Sequence, residues 1–382
     1  MRTFFLFFFC SMVVSGVFGD RFSKYAIYQN RYTEQELAQK IAKYLEKDPG
    51  IRRFYRLTPS ALYLGEWEKG EVDYVLYLRD IATGSHCKKP RRESLQGVKI
   101  ALDPGHFGGK YAKIEERFVD ISGEETLDGQ AIFFCEGDIS YLTAVFLKEL
   151  LEKAGAEVFI TRQSLGEGAF DEDFFSWLEK QPDLQHLPLS TAFRAHYNPL
   201  DLMRRAEAIN AFSPDITVAL HYNVDIDHQE QEYGKFFTHW NYSLAFIPGA
   251  FQERDLESIE HREAFLRLLV TDDLANSCKL TRSILRFFEE VLQVPLMDEN
   301  YKPFYVKNAC LLQEKGMYSR SLFLTRLVRS PICYGETLIQ NNQEEAYRLQ
   351  KTDTEIKGVS CSSRLKEVAK AYFQGIQAYF LD

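Results

Sequence analysis

The amino-acid sequence predicts an α/β fold: a single mixed or mostly parallel sheet flanked by helices on both faces, with a small α+β N-terminal region before it. Two observations carry that expectation. Past residue 95, short β-rich apolar runs alternate with longer segments whose apolar residues recur every three and four positions, the order of a sheet covered on both sides. The chain has 382 residues with 45% hydrophobic and 14% aromatic content, enough to bury one large core or two modest ones.

The elements follow in order. Residues 33–45 place Leu37, Ile41 and Leu45 on one helix face behind a Thr33 cap, and Asp48, Pro49 and Gly50 close it. Residues 73–78 read as a strand, and Tyr63, Trp67, Tyr74 and Tyr77 suit a small core. The polar stretch 84–94, with Lys88, Lys89, Arg91 and Arg92, reads as a solvated linker and a domain boundary. Beyond it come a strand at 98–102, a helix at 138–154 ended by Gly155, a strand at 158–162, a helix at 199–212 and a strand at 215–221. Long helical patterns occupy 265–291, and a short strand at 330–336 runs into Glu336. Residues 107–135, which look disordered, and 163–196 are longer than ordinary connections, as loops that line a cleft often are.

The formal charge of −9 and the lack of a long basic tract argue against an electrostatic grip on nucleic acid. Residues 4–18 form an apolar block behind Arg2, with small residues before Asp20, so residues 1–19 read as a secretory leader. The block is short for an anchor, and no stable membrane span is expected once it is removed. The expected organisation is therefore a leader over 1–19, an N-terminal region of unassigned role over 20–95, and a catalytic domain over 96–382. Export to the periplasm or cell envelope permits disulfides among Cys87, Cys135, Cys278, Cys310, Cys333 and Cys361, but their scattered spacing names no pair.

Two strands end in a histidine. Residues 98–102 lead into Asp103-Pro104-Gly105-His106, and residues 216–220 lead into His221. Glu136 opens the helical pattern between them. Two imidazoles and a carboxylate suit Zn²⁺, which accepts nitrogen and oxygen ligands and, as a catalyst, keeps one position open.

The order of these pieces extends further. Gly108 and Gly109 follow His106, the 158–162 strand ends in Thr161-Arg162, and Arg205 precedes Asn210 by five residues on a helix. Asp215 follows, then His221-Tyr222-Asn223, and finally Pro331, Glu336 and Asn342. In this order they resemble the zinc-dependent N-acetylmuramoyl-L-alanine amidases, cell-wall hydrolases of the amidase-3 type, over about residues 99–349. Three positions depart from the family pattern. Ile209 stands where the family has alanine, and Leu338 and Ile339 stand where it has Gly-Phe.

The resemblance implies one Zn²⁺ per chain held by His106, Glu136 and His221, with Glu336 as general base outside the ligand set. It implies hydrolysis of the amide between N-acetylmuramic acid and the L-alanine of the stem peptide, with peptidoglycan as substrate and an envelope activator protein as a partner. Asp103, Arg205 and Asn223 are expected to support the site from behind. Among nearby aromatics, Tyr222 and Trp240 are candidates for contacting substrate, as are Phe107, Tyr111 and Tyr242, although packing is the commoner role for each. The helical segment 255–288 is expected to cover the cleft. The ligand set would equally serve a zinc peptidase or amidase acting on another exported amide. A binding module that has lost turnover would have no need of Glu336.

Overall fold

A computed structural model describes residues 21–80, 92–227 and 232–381. The leader read at 1–19, Cys87 and most of the linker lie outside these residues. In the N-terminal region β1 (Tyr55–Leu57), β2 (Ala61–Leu64) and β3 (Tyr74–Tyr77) make an antiparallel sheet beside the Glu34–Lys40 helix. Thr33 starts that helix with a capping box: its Oγ1 accepts the Glu36 N–H at 3.2 Å, and the Glu36 carboxylate accepts the Thr33 N–H at 2.8 Å. After Lys40 the chain widens into a π-turn over Ile41–Leu45, which keeps Ile41 and Leu45 buried as the pattern required.

Residues 99–339 supply β4 (Lys99–Pro104), β5 (Phe118–Ile121), β6 (Ile132–Cys135), β7 (Glu157–Ile160), β8 (Ile216–Asn223), β9 (Leu244–Ile247), β10 (Cys310–Glu314), β11 (Met317–Arg320) and β12 (Ile332–Ile339). Seven of them form one mixed sheet in the order β10-β11-β9-β12-β8-β4-β7. β7, β4, β8 and β12 are mutually parallel, β9 runs antiparallel to β12, and β11 runs parallel to β9. The mixed alternative is therefore the one that holds.

The pleat sorts side chains to two covered faces. Ile100 and Leu102 join the large apolar cluster under the Glu136–Lys153, Asp273–Leu292 and Arg364–Leu381 helices. Ala101 packs instead with Ala206 and Ile209 of the Asn198–Phe212 helix. Every run that carried a periodic or near-continuous apolar pattern past residue 95 forms the element expected, with ends shifted by a few residues. The long pattern at 265–291 is two helices, Ile259–Val270 and Asp273–Leu292, separated where Thr271 turns extended.

Two expectations require correction. The 255–288 segment does not cover the cleft. Its first helix lies against the N-terminal region, where Tyr25 donates to Glu263 at 3.1 Å and Tyr32 to the Val270 carbonyl at 2.6 Å. Its second packs beneath the sheet, with Ile284 and Phe288 fully buried. Residues 107–135 are also not a structureless insertion, because β5 and β6 pair with each other within it.

Among the described residues no separate core sets off the region before residue 95. Leu37, Ile41, Phe54 and Leu76 belong to the same buried cluster as Phe265, Val270 and the central strands. Cys135, Cys278, Cys310, Cys333 and Cys361 are all free and buried. Among the described residues no helix is long and apolar enough to cross a membrane.

Candidate active site

The C-terminal ends of β4, β8 and β12 deliver the candidate residues to one edge of the sheet. His106 lies two residues beyond β4, His221 lies on β8, and Glu336 on β12 is the register partner of His221. Glu136 is the first residue of the Glu136–Lys153 helix. One ligand atom each from His106, Glu136 and His221 lies within 4.8 Å of the others. The Glu136 carboxylate sits between the rings, with Oε2 3.2 Å from His106 Nε2 and Oε1 3.2 Å from His221 Nδ1. The imidazoles meet edge to face at a centroid separation of 4.9 Å.

This arrangement is built by a tight turn. His106 adopts a left-handed backbone conformation, φ 59°, which a non-glycine residue occupies only when its surroundings impose it. Gly105 is required for a different reason: a Cβ there would lie 2.1 Å from His221 Cε1. Arg162, at the end of the β7 segment, is fully buried and donates to the carbonyls of Pro104, Gly105, Phe107 and Gly137 at 3.1, 3.2, 2.7 and 2.9 Å. Burial, together with nearby Arg205, lowers its guanidinium pKa to about 10.

Arg205 donates to Pro104 O at 2.8 Å and His106 O at 3.3 Å, and pairs with Asp201 at 2.6 Å. Asp103 accepts from Thr161 Oγ1 at 2.5 Å and lies 3.5 Å from Arg205, so it braces the turn and touches neither imidazole. Asn223 donates to Tyr305 Oη at 2.9 Å and holds the Val224 N–H at 2.9 Å.

Glu115 was not singled out in the sequence. It comes from the 107–135 segment, is buried, and accepts from His106 Nδ1 at 2.8 Å and from the Phe107 N–H at 2.9 Å. That contact occupies Nδ1 and turns Nε2 towards Glu136. Gln340 Nε2 approaches Glu136 Oε2 at 3.4 Å, and the Tyr222 N–H approaches Oε1 at 3.2 Å. Apart from a lone glutamate among several in an irregular segment, nothing in the sequence marked Glu115.

The electrostatics follow from burial and proximity. Burial disfavours the Glu136 anion, but His106 and His221 outweigh it and hold the carboxyl well below the usual range. Burial likewise disfavours the His106 cation, yet Glu136 and Glu115 raise its pKa to about 9. His221 is pushed down by burial and by the neighbouring His106 charge, against the pull of Glu136. Glu336 is raised to about 8 by burial and by the Glu136 charge, opposed by Arg320, His106 and Arg117, and its Oε2 is buried with no hydrogen-bond partner.

Of the substrate-contact candidates, Tyr222 is corrected. Its side chain is buried on the opposite sheet face from His221, and its hydroxyl is 2.6 Å from Thr143 Oγ1. Phe107 and Tyr111 are likewise buried, in an aromatic cluster with Phe174 and Phe193, and the Tyr242 hydroxyl bonds Asp225 at 2.5 Å. Trp240 remains half-buried beyond the end of β12, stacked 4.2 Å from Tyr301. A cavity of about 120 Å³ opens beside the imidazoles, lined among others by Asp103, Glu115, Arg205 and Tyr334. His106 keeps 19% of its side chain exposed against 7% for His221 and 2% for Glu136, so access is from the His106 side.

The family model described as N-acetylmuramoyl-L-alanine amidase, Amidase_3, matches residues 100–378. The chain belongs to that family. Its activity is that of a peptidoglycan hydrolase, an amidase cutting between N-acetylmuramic acid and the L-alanine of the stem peptide, and the family implies action outside the cytoplasm. No curated sequence matches the amidase.

Among solved structures it is similar to the CwlD amidase of Clostridioides difficile in complex with the GerS lipoprotein: 17% identity, 74% of this chain and 98% of that one, TM-score 0.44. It is also similar to Ami1 of Mycobacterium smegmatis, with 14% identity, 75% and 98% coverage and a TM-score of 0.43. The catalytic domain of CwlV from Bacillus (Paenibacillus) polymyxa var. colistinus gives 13% identity, 74% and 97% coverage and a TM-score of 0.39.

Proposed function

We propose that this amidase works with one Zn²⁺ held by His106 Nε2, the Glu136 carboxylate and His221 Nδ1, and that Glu336 is its general base. The convergence of three donor atoms within 4.8 Å carries the reading. The donor set fits: a buried carboxylate between two imidazoles has more acceptor capacity than one proton can use, and two nitrogens with one oxygen is a ligand combination zinc takes in catalytic sites. When bound there, Zn²⁺ supplies Lewis acidity that polarises a carbonyl and brings the pKa of a water from ~15.7 to around 7.

The chain's own residues supply the rest. Glu115 fixes the tautomer of His106 by accepting from Nδ1, and Arg162 and Arg205 clamp the turn that aims the ring. The unpartnered Glu336 Oε2 is placed to take the proton of an attacking water and hand it to the departing amine, the step that makes an amine a leaving group. Its pKa near 8 reflects burial and the Glu136 anion, and a divalent cation held by the neighbouring ligands would draw that value down.

We further read the enzyme as exported behind a leader at 1–19 to the periplasm or cell envelope. There it would serve cell separation or wall remodelling, with an envelope protein as activator.

The test is direct. Purified full-length protein is expected to carry about one zinc per chain and to release free stem peptides from sacculi. Intact glycan–peptide linkages after digestion, read by mass analysis, would refute the activity. Absence of bound zinc would refute the metal.

The role of Glu115 has its own check. Glu115→Gln keeps the size but replaces a carboxylate acceptor with an amide at His106 Nδ1. Zinc affinity measured by chelator competition is expected to fall by about 10–100-fold. An unchanged affinity would remove Glu115 from the metal's support.

A further inference from the structure

One cation beside the site makes no hydrogen bond or ion pair among the described residues. Arg320, at the end of β11, is half-buried, and among the described residues its guanidinium makes no hydrogen bond or ion pair. The other arginine near Glu336, Arg117, is already engaged: it donates to the Glu116 carbonyl at 3.0 Å and lies 5.0 Å over the Tyr233 ring.

The placement of Arg320 follows from strand register. Tyr318 of β11 pairs with Phe246 of β9, which pairs with Tyr334 of β12, so Arg320, two residues on from Tyr318, projects to the same sheet face as Tyr334, Glu336 and His221. The rings on that face pack one against the next, with Phe246 fully buried among them. Tyr334 stacks on His221 at 4.3 Å, Phe246 lies 6.0 Å from Tyr334, and the Arg320 guanidinium sits 4.9 Å from the Phe246 centroid and 5.3 Å from that of Tyr305. Stacking over two rings holds the guanidinium plane and leaves its N–H edge free to meet a planar anion.

We infer that Arg320 is a specificity-determining residue that receives a free carboxylate of the stem peptide, so the peptide half of the substrate runs from the His221 ring past Tyr334 towards the end of β11. The inference rests on the amidase reading and deepens it. The two halves of the substrate differ in charge. The lactyl carboxyl of the sugar half is consumed in the scissile amide and the sugar is otherwise neutral, whereas the peptide half carries carboxylates. A half-buried guanidinium that makes no hydrogen bond or ion pair among the described residues therefore favours the peptide side, and an arginine–carboxylate contact there would be charge-assisted and geometrically selective. Arg320 also acts on Glu336, holding its pKa below where burial and Glu136 alone would put it.

The experiment uses the full-length zinc-loaded enzyme and two purified muropeptides, identical except that the peptide carboxylates are free in one and converted to primary amides in the other. The wild type is expected to prefer the free acid by about tenfold in kcat/KM, expressed mainly in KM. Arg320→Gln is expected to bring the free-acid-to-amide ratio of kcat/KM to about one, a ratio that any change shared by both substrates through the charge near Glu336 leaves untouched, and Arg320→Lys to retain part of the preference. Thermal unfolding of both variants shows whether the fold is intact, and Arg320→Lys carries the test if the glutamine variant unfolds. Equal rates on both substrates by the active wild type would overturn the inference alone. So would a preference that survives in Arg320→Gln, or a loss in that variant equal on both substrates. A zinc-loaded wild type that releases peptide from neither substrate would overturn the amidase reading itself.

Discussion

Glu336→Gln is expected to lower kcat for stem-peptide release by about 10²–10⁴ while leaving zinc content unchanged. The substitution keeps the shape of the side chain and removes only its capacity to take a proton. Glu336 is suited to the task because its Oε2 is buried without a partner, and because its β12 position pairs in register with His221 across to β8. The side chain thus reaches the ligand face without joining the three-residue cluster, which consists of His106, Glu136 and His221 alone. Single-turnover release from sacculi, with metal analysis of the same preparation, checks both halves of the prediction. Activity near wild type would remove the base, and loss of zinc along with activity would make Glu336 a ligand or its support.

Gly105→Ala is expected to abolish zinc binding at micromolar metal and with it hydrolysis, although it adds a single methyl group. The new Cβ would stand 2.1 Å from His221 Cε1 and 2.4 Å from each ring nitrogen, where no side chain can be accommodated. Either the imidazole rotates out of the site or the end of β4 retreats, and in both cases the donor atoms separate. Overpacking of this kind costs about 1–3 kcal/mol, so a domain of ordinary stability should remain folded. Far-UV circular dichroism together with isothermal titration of zinc distinguishes a lost site from a lost fold. Wild-type affinity would mean that the turn yields more easily than its hydrogen bonds suggest.

The part of this molecule that could be read in sequence is the part with a period or a punctuated end. The helix beginning at Glu136 and the helix Asn198–Phe212 bury one apolar stripe each, and β4 and β8 are apolar runs bounded by turn residues, so their patterns survive in one dimension. The histidines were visible because each ends such a run. β9 and β11 were not read. Each has only four residues, and their pairing, antiparallel to β12 and parallel between themselves, depends on contacts distant in sequence. The Arg364–Leu381 helix was also passed over, though it covers the sheet beneath Gly335 with Tyr372.

In the site, Glu115 lies on a four-residue helix in an irregular segment and meets His106 only because the chain folds back. Tyr222 shows the converse error. Its neighbourhood in sequence to His221 suggested a shared purpose, but the alternation of a strand sends adjacent side chains to opposite faces.

The clamp formed by Arg162 and Arg205 bears on how the enzyme meets its ion. Six main-chain acceptor contacts on or near the His106 turn are satisfied by two permanent charges whose hold owes nothing to a metal. If zinc is held as proposed, its capture and release would resemble exchange at a rigid chelator more than the folding of a finger-type domain, and scarcity of the ion would silence the protein reversibly, without committing it to degradation.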